Sequence, residues 1–569
     1  MAPTKSNSKK SPVGETTLLL DKSEIKADTT KRGAVAAPAK VSPSTTSPLK
    51  YTEIKDIGPA VEKLRDSFHQ TQKTHSIQYR LNQLRNVYFA LKDHTDEICD
   101  ALYKDFRRVP EETKGLEIAG GLNELLHTIA SLYKWSKPDP IKDLPVSMTG
   151  TPAYIEKIPL GVVLIISPFN YPFLLSLSAV VGALAAGNAV VLKQSEMTPH
   201  FSQLFTDLLT KALDDDIFFA VNGGIAETTE TLNQKFDKIM YTGNNMVGTI
   251  VAKKAAETLT PVILELGGKS PAFVLEDVKE NDLHTIASRI AWGRFTNCGQ
   301  TCVAVDYVLV HESKHKSLLR ELKKVVETEF YPGINKDDPN YTHLIHDRAY
   351  QNLVKRLDAS KGEVVIGGER DASTRYIAPT VIDNVSWDDS TMEVELFGPL
   401  LPIIPYTDLK EAVTSLVKRH DTPLAQYVFT SNASRANNPQ IDYILKAVRS
   451  GGLIINDVLL HVGLANAPFG GIGQSGHGAY HGEYSFRNFS HERTTLEIAL
   501  WKESTLTARY PPFNENKANL VGTSLTFYGG KTWFGRTGDV RLTGPNPVWS
   551  LYSGIVGVFA LGYYLYAAS

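Results

Sequence analysis

From about Ile54 to Ala130, apolar residues recur three and four positions apart. Val61, Leu64 and Phe68 do so first, then Leu81, Leu84, Val87 and Leu91, which is the spacing of amphipathic helices. Past Pro152 the texture changes. Val162-Val163-Leu164-Ile165-Ile166 is apolar throughout, the pattern of a strand buried on both faces. A helical segment from Pro172 to Ala186 follows and stops at Gly187-Asn188, and Ala189 to Leu192 then repeats the buried-strand pattern. Lys238–Ala256 reads as a further strand, turn and helix, and Val262–Glu265 as the next strand. Strands alternating with helices predict a parallel sheet with crossover helices, a scaffold suited to a nucleotide. A second α/β stretch runs from about 270 to 450, with strands at Tyr307–Val310 and Leu401–Ile404 and a helix at Ser317–Glu329.

The two ends differ from this pattern. The segment 1–50 is rich in Ser, Thr, Lys, Pro and Ala, and only Leu18-Leu19-Leu20 is apolar, so a disordered tail is expected. It has no signal-peptide core, and Glu15, Asp21, Glu24 and Asp28 argue against an import presequence. At the other end, residues 548–567 carry no charge. At about 1.5 Å per residue such a helix spans about 30 Å, the thickness of a hydrocarbon core. Trp549 lies at one end of it, Tyr563, Tyr564 and Tyr566 at the other, and Lys531, Arg536 and Arg541 precede it. A membrane anchor at 546–568 is the expectation, with the rest of the chain facing the cytosol. Mitochondrial outer membrane, endoplasmic reticulum and lipid droplet all fit.

Composition narrows the function class. The chain has 569 residues and a net charge of −2, so it has room for two or three domains and no basic field to attract nucleic acid. Only Cys99, Cys298 and Cys302 are cysteines, which suits a reducing compartment and excludes a disulfide scaffold. Cys298 and Cys302 lie in Phe295-Thr296-Asn297-Cys298-Gly299-Gln300-Thr301-Cys302-Val303-Ala304. A metal site needs further Cys or His ligands at suitable spacing, and none follows. A single reactive thiol beside a glycine that lets substrate approach is the better reading.

With that segment in view, a family resemblance is plain. Asn297-x-Gly299-Gln300-x-Cys302, preceded by Glu265-Leu266-Gly267-Gly268-Lys269-Ser270-Pro271, resembles the paired signatures of the aldehyde dehydrogenase superfamily over about residues 55–500. The resemblance implies that Cys302 is the nucleophile and Glu265 the general base, with Cys298 a bystander. Ser167-Pro168-Phe169-Asn170-Tyr171-Pro172 is similar to the family turn whose Asn, here Asn170, donates to the oxyanion. Lys193-Gln194-Ser195-Glu196 falls where the family grips the adenosine ribose, and Glu395-Leu396-Phe397-Gly398-Pro399 where it holds the nicotinamide ribose and ring. Asn456 and Pro468-Phe469-Gly470-Gly471 complete the pattern.

Gly243, Asn244 and Gly248 open the helix after a predicted strand, so its N–H groups and dipole can face a pyrophosphate. Relatives usually carry Ser at position 244. Many also carry a Lys where this chain has Ala179, which leaves the proton-relay group open. Glu196 would bond a ribose 2′-hydroxyl and repel a 2′-phosphate, which favours NAD over NADP. Residues Gly473 to Arg493, with Arg509-Tyr510-Pro511-Pro512, resemble the class-3 branch. That branch includes membrane-bound fatty aldehyde dehydrogenases, among them fungal enzymes for hexadecenal that also serve 4-hydroxybenzaldehyde oxidation for ubiquinone precursors. Long-chain or aromatic aldehydes are therefore the implied substrates.

Two motifs read as decoys. Gly471-Ile472-Gly473-Gln474-Ser475-Gly476 matches a dinucleotide fingerprint but lies far from the parallel-strand unit, so a loop is expected. His311-Glu312-Ser313-Lys314-His315 matches a zinc-protease motif, but it follows a strand directly and should straddle a turn; no metal is expected. Two other functions remain to be set against the enzyme: a catalytically silent binding protein on the same fold, and acyl transfer to coenzyme A. Glu265, a water-activating base, speaks for hydrolysis. The expected architecture is α/β, with a Rossmann-type cofactor domain over 51–266 and a catalytic domain over 267–450. Segment 451–500 returns to the cofactor domain. A small β extension, Thr151–Ile158 with the segment after Ala467, resembles the family's oligomerisation arm and implies a homodimer, and a juxtamembrane stretch over 501–545 leads into the transmembrane tail.

Overall fold

The computed structural model describes residues 48–525 except 143, together with 536 and 539. The helical stretch folds as Ile54–Thr71, Ile77–Lys92, Thr95–Phe106 and a longer rod running from Pro110 to Trp135. The expected stripe Leu84, Val87, Leu91 is fully buried. Between Lys114 and Ile118 the rod widens into a π-turn, a distortion that recurs beside functional sites.

The cofactor sheet contains β1 (Val162–Ile166), β2 (Ala189–Lys193), β3 (Phe218–Val221), β4 (Lys238–Gly243) and β5 (Val262–Leu266). They pair in parallel in the order β5-β4-β1-β2-β3, and a two-residue strand, Gly476–His477, closes the β5 edge antiparallel. The chain moves outward from β1 to β2 and β3, then returns to β4 on the other side of β1. Loops after β1 and β4 therefore part from each other at the carboxyl end of the sheet, where open α/β sheets bind ligands.

Helix α1 (Pro172–Ala186) connects β1 to β2 and is buried at every position. Pro172 starts it, where a missing N–H costs nothing, and Gly187 ends it at φ 94°. Phe173, Leu177 and Val180 are wholly buried, and each such side chain contributes roughly 1.5–3 kcal/mol. That packing makes α1 a fixed support for the loop preceding it. Helix α2 (Asn245–Ala256) joins β4 to β5.

The catalytic sheet contains β6 (Pro271–Val274), β7 (Tyr307–His311), β8 (Glu363–Ile366), β9 (Thr380–Asp383), β10 (Leu400–Tyr406), β11 (Ala425–Phe429) and β12 (Gly452–Ile455). Its order is β8-β9-β10-β7-β6-β11-β12, parallel except for β8. The last strand carries this sheet a few residues past 450. The helix expected at Ser317–Glu329 begins earlier, at Glu312, because the His311 side chain accepts the Ser313 N–H as its cap. Asp139–Pro140, Ala153–Pro159 and Ser490–Leu496 form a separate antiparallel arm. Among the described residues no helix is long and apolar enough to cross a membrane. The segments 1–47 and 546–568, for which a tail and an anchor are expected, lie outside the described residues.

Candidate active site

Helix α3 (Leu283–Phe295) leads into the segment that carries Cys302. Asn297 and Cys298 both have φ 54° and Gly299 has φ 73°, so the chain turns sharply through three left-handed residues. A Cβ on Gly299 would sit 2.3 Å from the Gly398 carbonyl oxygen, so no other residue fits there. The turn is then pinned on three sides. The Asn297 backbone N–H donates to Glu112 at 2.7 Å, and its side-chain amide donates to the Asn170 carbonyl at 3.0 Å. Gln300 donates to the His343 carbonyl at 3.1 Å and accepts from the Ile345 N–H at 3.0 Å. Thr301 shares a 2.7 Å hydrogen bond with the Tyr171 hydroxyl. The polar residues of this signature thus spend their hydrogen bonds on loop geometry, and Cys302 follows them with partial exposure. Cys298, by contrast, is buried against the Tyr341 hydroxyl, and burial pushes its thiol up to about 12.

Glu265 is the penultimate residue of β5 and faces the Cys302 thiol. Burial pushes its carboxyl up to about 8, and the Cys302 thiol pulls it the other way. Apart from that thiol, no group among the described residues hydrogen-bonds to either carboxyl oxygen. Burial also raises the Cys302 thiol well above its ordinary value, with Glu265 and Glu395 adding to the effect. The resting pair is therefore a neutral thiol beside a neutral acid, each one deprotonation away from being a nucleophile and a base. Asn170 is buried on the β1–α1 loop. Its carbonyl takes two hydrogen bonds, whereas its side-chain amide makes none among the described residues.

The residues Gly267, Gly268 and Lys269 also serve architecture. A Cβ on Gly267 would lie 2.0 Å from a Glu395 carboxyl oxygen, so glycine admits Glu395 at this place. The buried Lys269 ammonium donates to Asp306 and to the carbonyls of Thr391 (2.9 Å) and Val394 (3.1 Å). Arg294 donates to the other Asp306 oxygen at 2.9 Å. Together they fix the loop that bears Glu395 and Phe397. The Phe397 ring meets Phe169 edge-on at 5.8 Å, beside Asn170.

The crevice between β1 and β4 fits a dinucleotide. Among the described residues, the buried hydroxyl of Ser167, just after β1, has no partner, and Gln194 after β2 has an unpartnered amide nitrogen. One Glu395 oxygen is likewise unpartnered. Lys193 donates to the Gln194 carbonyl at 2.6 Å and reaches the half-buried Glu196 at 3.4 Å. Asn244 caps α2 by accepting the Val247 N–H at 2.9 Å, so Asn at this position preserves the helix start facing the crevice. Gly248 plays a different part: a Cβ there would meet Leu266 at 2.7 Å, so it serves the close packing of α2 on the sheet. Ala179 is buried within α1, and the neighbouring Ser178 hydroxyl donates to Glu124 at 2.6 Å. Asn456 clamps the Thr430 backbone through both amide atoms, each at 2.8 Å.

The decoys fall elsewhere. His311 is a helix cap, and His315 bonds Asp383 at 2.6 Å, so the two imidazoles do not converge. Gly471–Gly476 is a loop ending in the short strand that pairs with Glu265. The sequence reading passes over two residues that underlie the site, Arg108 and Glu117. Both are fully buried and ion-paired with each other. Nothing in the adjacent pair Arg107-Arg108 marks the second as internal.

The profile of the aldehyde dehydrogenase family matches residues 25–495. The chain belongs to this family. It is 40% identical over 507 residues to a fatty aldehyde dehydrogenase of Saccharomyces cerevisiae, covering 86% of this chain and 93% of that one. It is also 40% identical over 459 residues to the dimeric NADP-preferring aldehyde dehydrogenase of Mus musculus, covering 81% of this chain and 98% of that one. A β-apo-4′-carotenal oxygenase of Neurospora crassa is 38% identical over 486 residues, 85% of this chain and 88% of that one. Among solved structures, a substrate-bound aldehyde dehydrogenase of Staphylococcus aureus superposes with a TM-score of 0.77 at 35% identity, covering 84% of this chain and 100% of that one. An aldehyde dehydrogenase with nearby fatty-aldehyde relatives is thus what the site belongs to, and members of the family work with NAD or NADP.

Proposed function

We propose that this aldehyde dehydrogenase oxidises long-chain fatty aldehydes such as hexadecenal, and aromatic aldehydes such as 4-hydroxybenzaldehyde, to carboxylic acids through a thioester on Cys302. The observation that carries the reading is the apposition of Cys302 to Glu265, a buried carboxyl with no other partner among the described residues. The Cys302 thiolate attacks the aldehyde carbon, and the Asn170 amide with the Cys302 N–H receives the developing oxyanion; a preorganised donor of this kind is worth about 3 kcal/mol. When bound, the nicotinamide supplies the hydride acceptor that converts the thiohemiacetal to a thioester. Ser167, Lys193, Glu196, Gly243 and Asn244 would hold the dinucleotide, with Glu395 and Phe397 at its reactive end. Glu196 stands where a 2′-phosphate would meet a carboxylate, which supports NAD as the working cofactor. Glu265 then takes a proton from water as it attacks the thioester, and the acid leaves Cys302 as thiolate.

The yeast and Neurospora relatives are named for lipophilic aldehydes, which supports a substrate delivered from lipid. The uncharged run 546–568 then serves as a tail anchor, and the antiparallel arm as the dimer contact. The test follows absorbance of NADH with hexadecenal as substrate. The intact chain should reduce NAD, and Cys302→Ala should leave less than about a thousandth of that rate. Full activity in Cys302→Ala would overturn the mechanism. Silence of the intact chain toward both aldehyde classes with either cofactor would favour a binding protein on the same fold.

A further inference from the structure

Arg108 is completely buried, yet it lies in neither signature and approaches no cofactor-holding residue. Every polar contact it makes serves the site from behind. One terminal nitrogen donates to the Asn170 carbonyl at 3.0 Å and to the Asn297 side-chain oxygen at 3.3 Å. Its Nε donates to the Thr113 hydroxyl at 3.2 Å, and its remaining nitrogen is ion-paired with Glu117. The other oxygen of Glu117 accepts the N–H groups of Phe173 (2.8 Å) and Leu174 (3.0 Å) at the start of α1. The guanidinium also lies 5.4 Å from the centre of the Tyr171 ring, whose hydroxyl is bonded to Thr301 beside the nucleophile.

These contacts close a ring. Asn170, the start of α1, Glu117 and Arg108 hold one another, and Asn297 ties the ring to the turn before Cys302. A side-chain amide has few torsions of its own, so its aim is set by the backbone that carries it. Asn170 has both lone-pair directions of its carbonyl occupied, one by Arg108 and one by the Asn297 amide. The planar guanidinium alone reaches the two Asn residues and Glu117 at once, which an ammonium on a flexible stem does not.

We propose that Arg108 is a positioning residue for oxyanion stabilisation: it fixes the Asn170 backbone and the Cys302 turn in one register, so that the Asn170 amide meets the oxygen formed on the Cys302-bound carbon. The proposal rests on Asn170 being the oxyanion donor. Oxyanion donors are sensitive to small displacements, and a shift of about 1 Å costs up to a hundredfold in rate. Arg108 touches neither substrate nor cofactor, so its loss should appear in turnover and leave binding alone.

The experiment is a double-mutant cycle between Arg108 and Asn170 in the full chain with hexadecenal and NAD. Asn170→Ala should lower kcat about 100- to 1,000-fold. Arg108→Met should lower kcat about 10- to 100-fold, with KM for the aldehyde and the dissociation constant for NAD within about threefold of the parent. In Arg108→Met/Asn170→Ala the two losses should not multiply: the double variant should stay within about threefold of Asn170→Ala alone. Arg108→Lys keeps the cation opposite Glu117 without the fork and carries the same cycle where Arg108→Met does not fold. Multiplicative losses, or a loss confined to KM or to cofactor binding, would overturn the role of Arg108 while leaving Asn170 as donor. Full activity in Asn170→Ala would remove the oxyanion reading and the proposal with it.

Discussion

Two glutamates of this chain are equally buried and could hardly be treated more differently. Glu117 is wholly inaccessible and Glu265 is 1% exposed. Glu117 has an arginine on one oxygen and two helix-terminal N–H groups on the other. Among the described residues, Glu265 has only a thiol as hydrogen-bond partner. An unpartnered buried polar group costs about 1–3 kcal/mol, so a fold tolerates few of them. Here that cost is carried where a carboxyl must exchange a proton with water. Most groups that hold the site are well supplied with hydrogen bonds or ion pairs, and the groups that react are left short of them. Ser167, Gln194 and one oxygen of Glu395 follow the second rule along the cofactor crevice, while Asn297, Gln300, Lys269 and Asp306 follow the first.

Exchanging Glu for Gln at each position is the sharpest way to break this contrast. At position 265 the expected effect is on chemistry. Glu265→Gln should lose about 100- to 10,000-fold in steady-state turnover, the range of a general base, while retaining a single burst of NADH as the thioester accumulates. The parent enzyme should also become more active as pH rises from about 6.5 to 9. Its carboxyl is held up to about 8, so the basic form grows through that range. A flat profile for the deacylation step, or multiple turnovers in Glu265→Gln, would show that another group activates water and would end the contrast.

At position 117 the same exchange should act on folding. Glu117→Gln leaves the Arg108 guanidinium buried without its counter-ion, and breaking a buried pair from one side costs about 3–5 kcal/mol. The measurement is the thermal midpoint at fixed scan rate, with a large drop expected at every pH between 6 and 9. An unchanged midpoint would mean that the ion pair is dispensable and that Asn170 is held by other means.

How much of this was readable beforehand differs along the same line. Reacting residues announce themselves through neighbours of unusual type. Cys302 follows a turn that carries Asn297 and Gly299, and Glu265 precedes two glycines, the first of which admits the close approach of Glu395. The strands β1 and β2 were legible because burial on both faces leaves an apolar run over Val162–Ile166 and Ala189–Leu192. The saturated groups were not legible. Arg108 meets Asn297 across 189 positions of sequence, and no local pattern records such a contact. Glu117 looks like an ordinary exposed helical glutamate until the π-turn at Lys114–Ile118 and the start of α1 are brought together. Gly248 shows a further side of this, for the glycine expected among cofactor contacts also serves the close packing of α2 on Leu266.

The smallest expected effect sharpens the comparison most. Raising a carboxyl from 4.5 to about 8 on folding means that the native state holds a proton the unfolded chain has released. Glu265 therefore weighs against the fold increasingly as pH climbs from about 4.5 toward 8, and fully once the buried group must ionise. Gln keeps the shape and never ionises. At pH 6, where native Glu265 is already protonated but its unfolded counterpart is not, Glu265→Gln should be modestly more stable than the parent, by a degree or two in thermal midpoint. By pH 9 the advantage should have widened to about 4–5 °C, since each pKa unit is worth about 1.4 kcal/mol and a kcal/mol moves the midpoint of a chain this large by about 1 °C. Glu117→Gln should show no such gain at any pH. Were Glu265→Gln to lose stability as pH rises, its carboxylate would have to be stabilised in the fold, and the two glutamates would belong to one class.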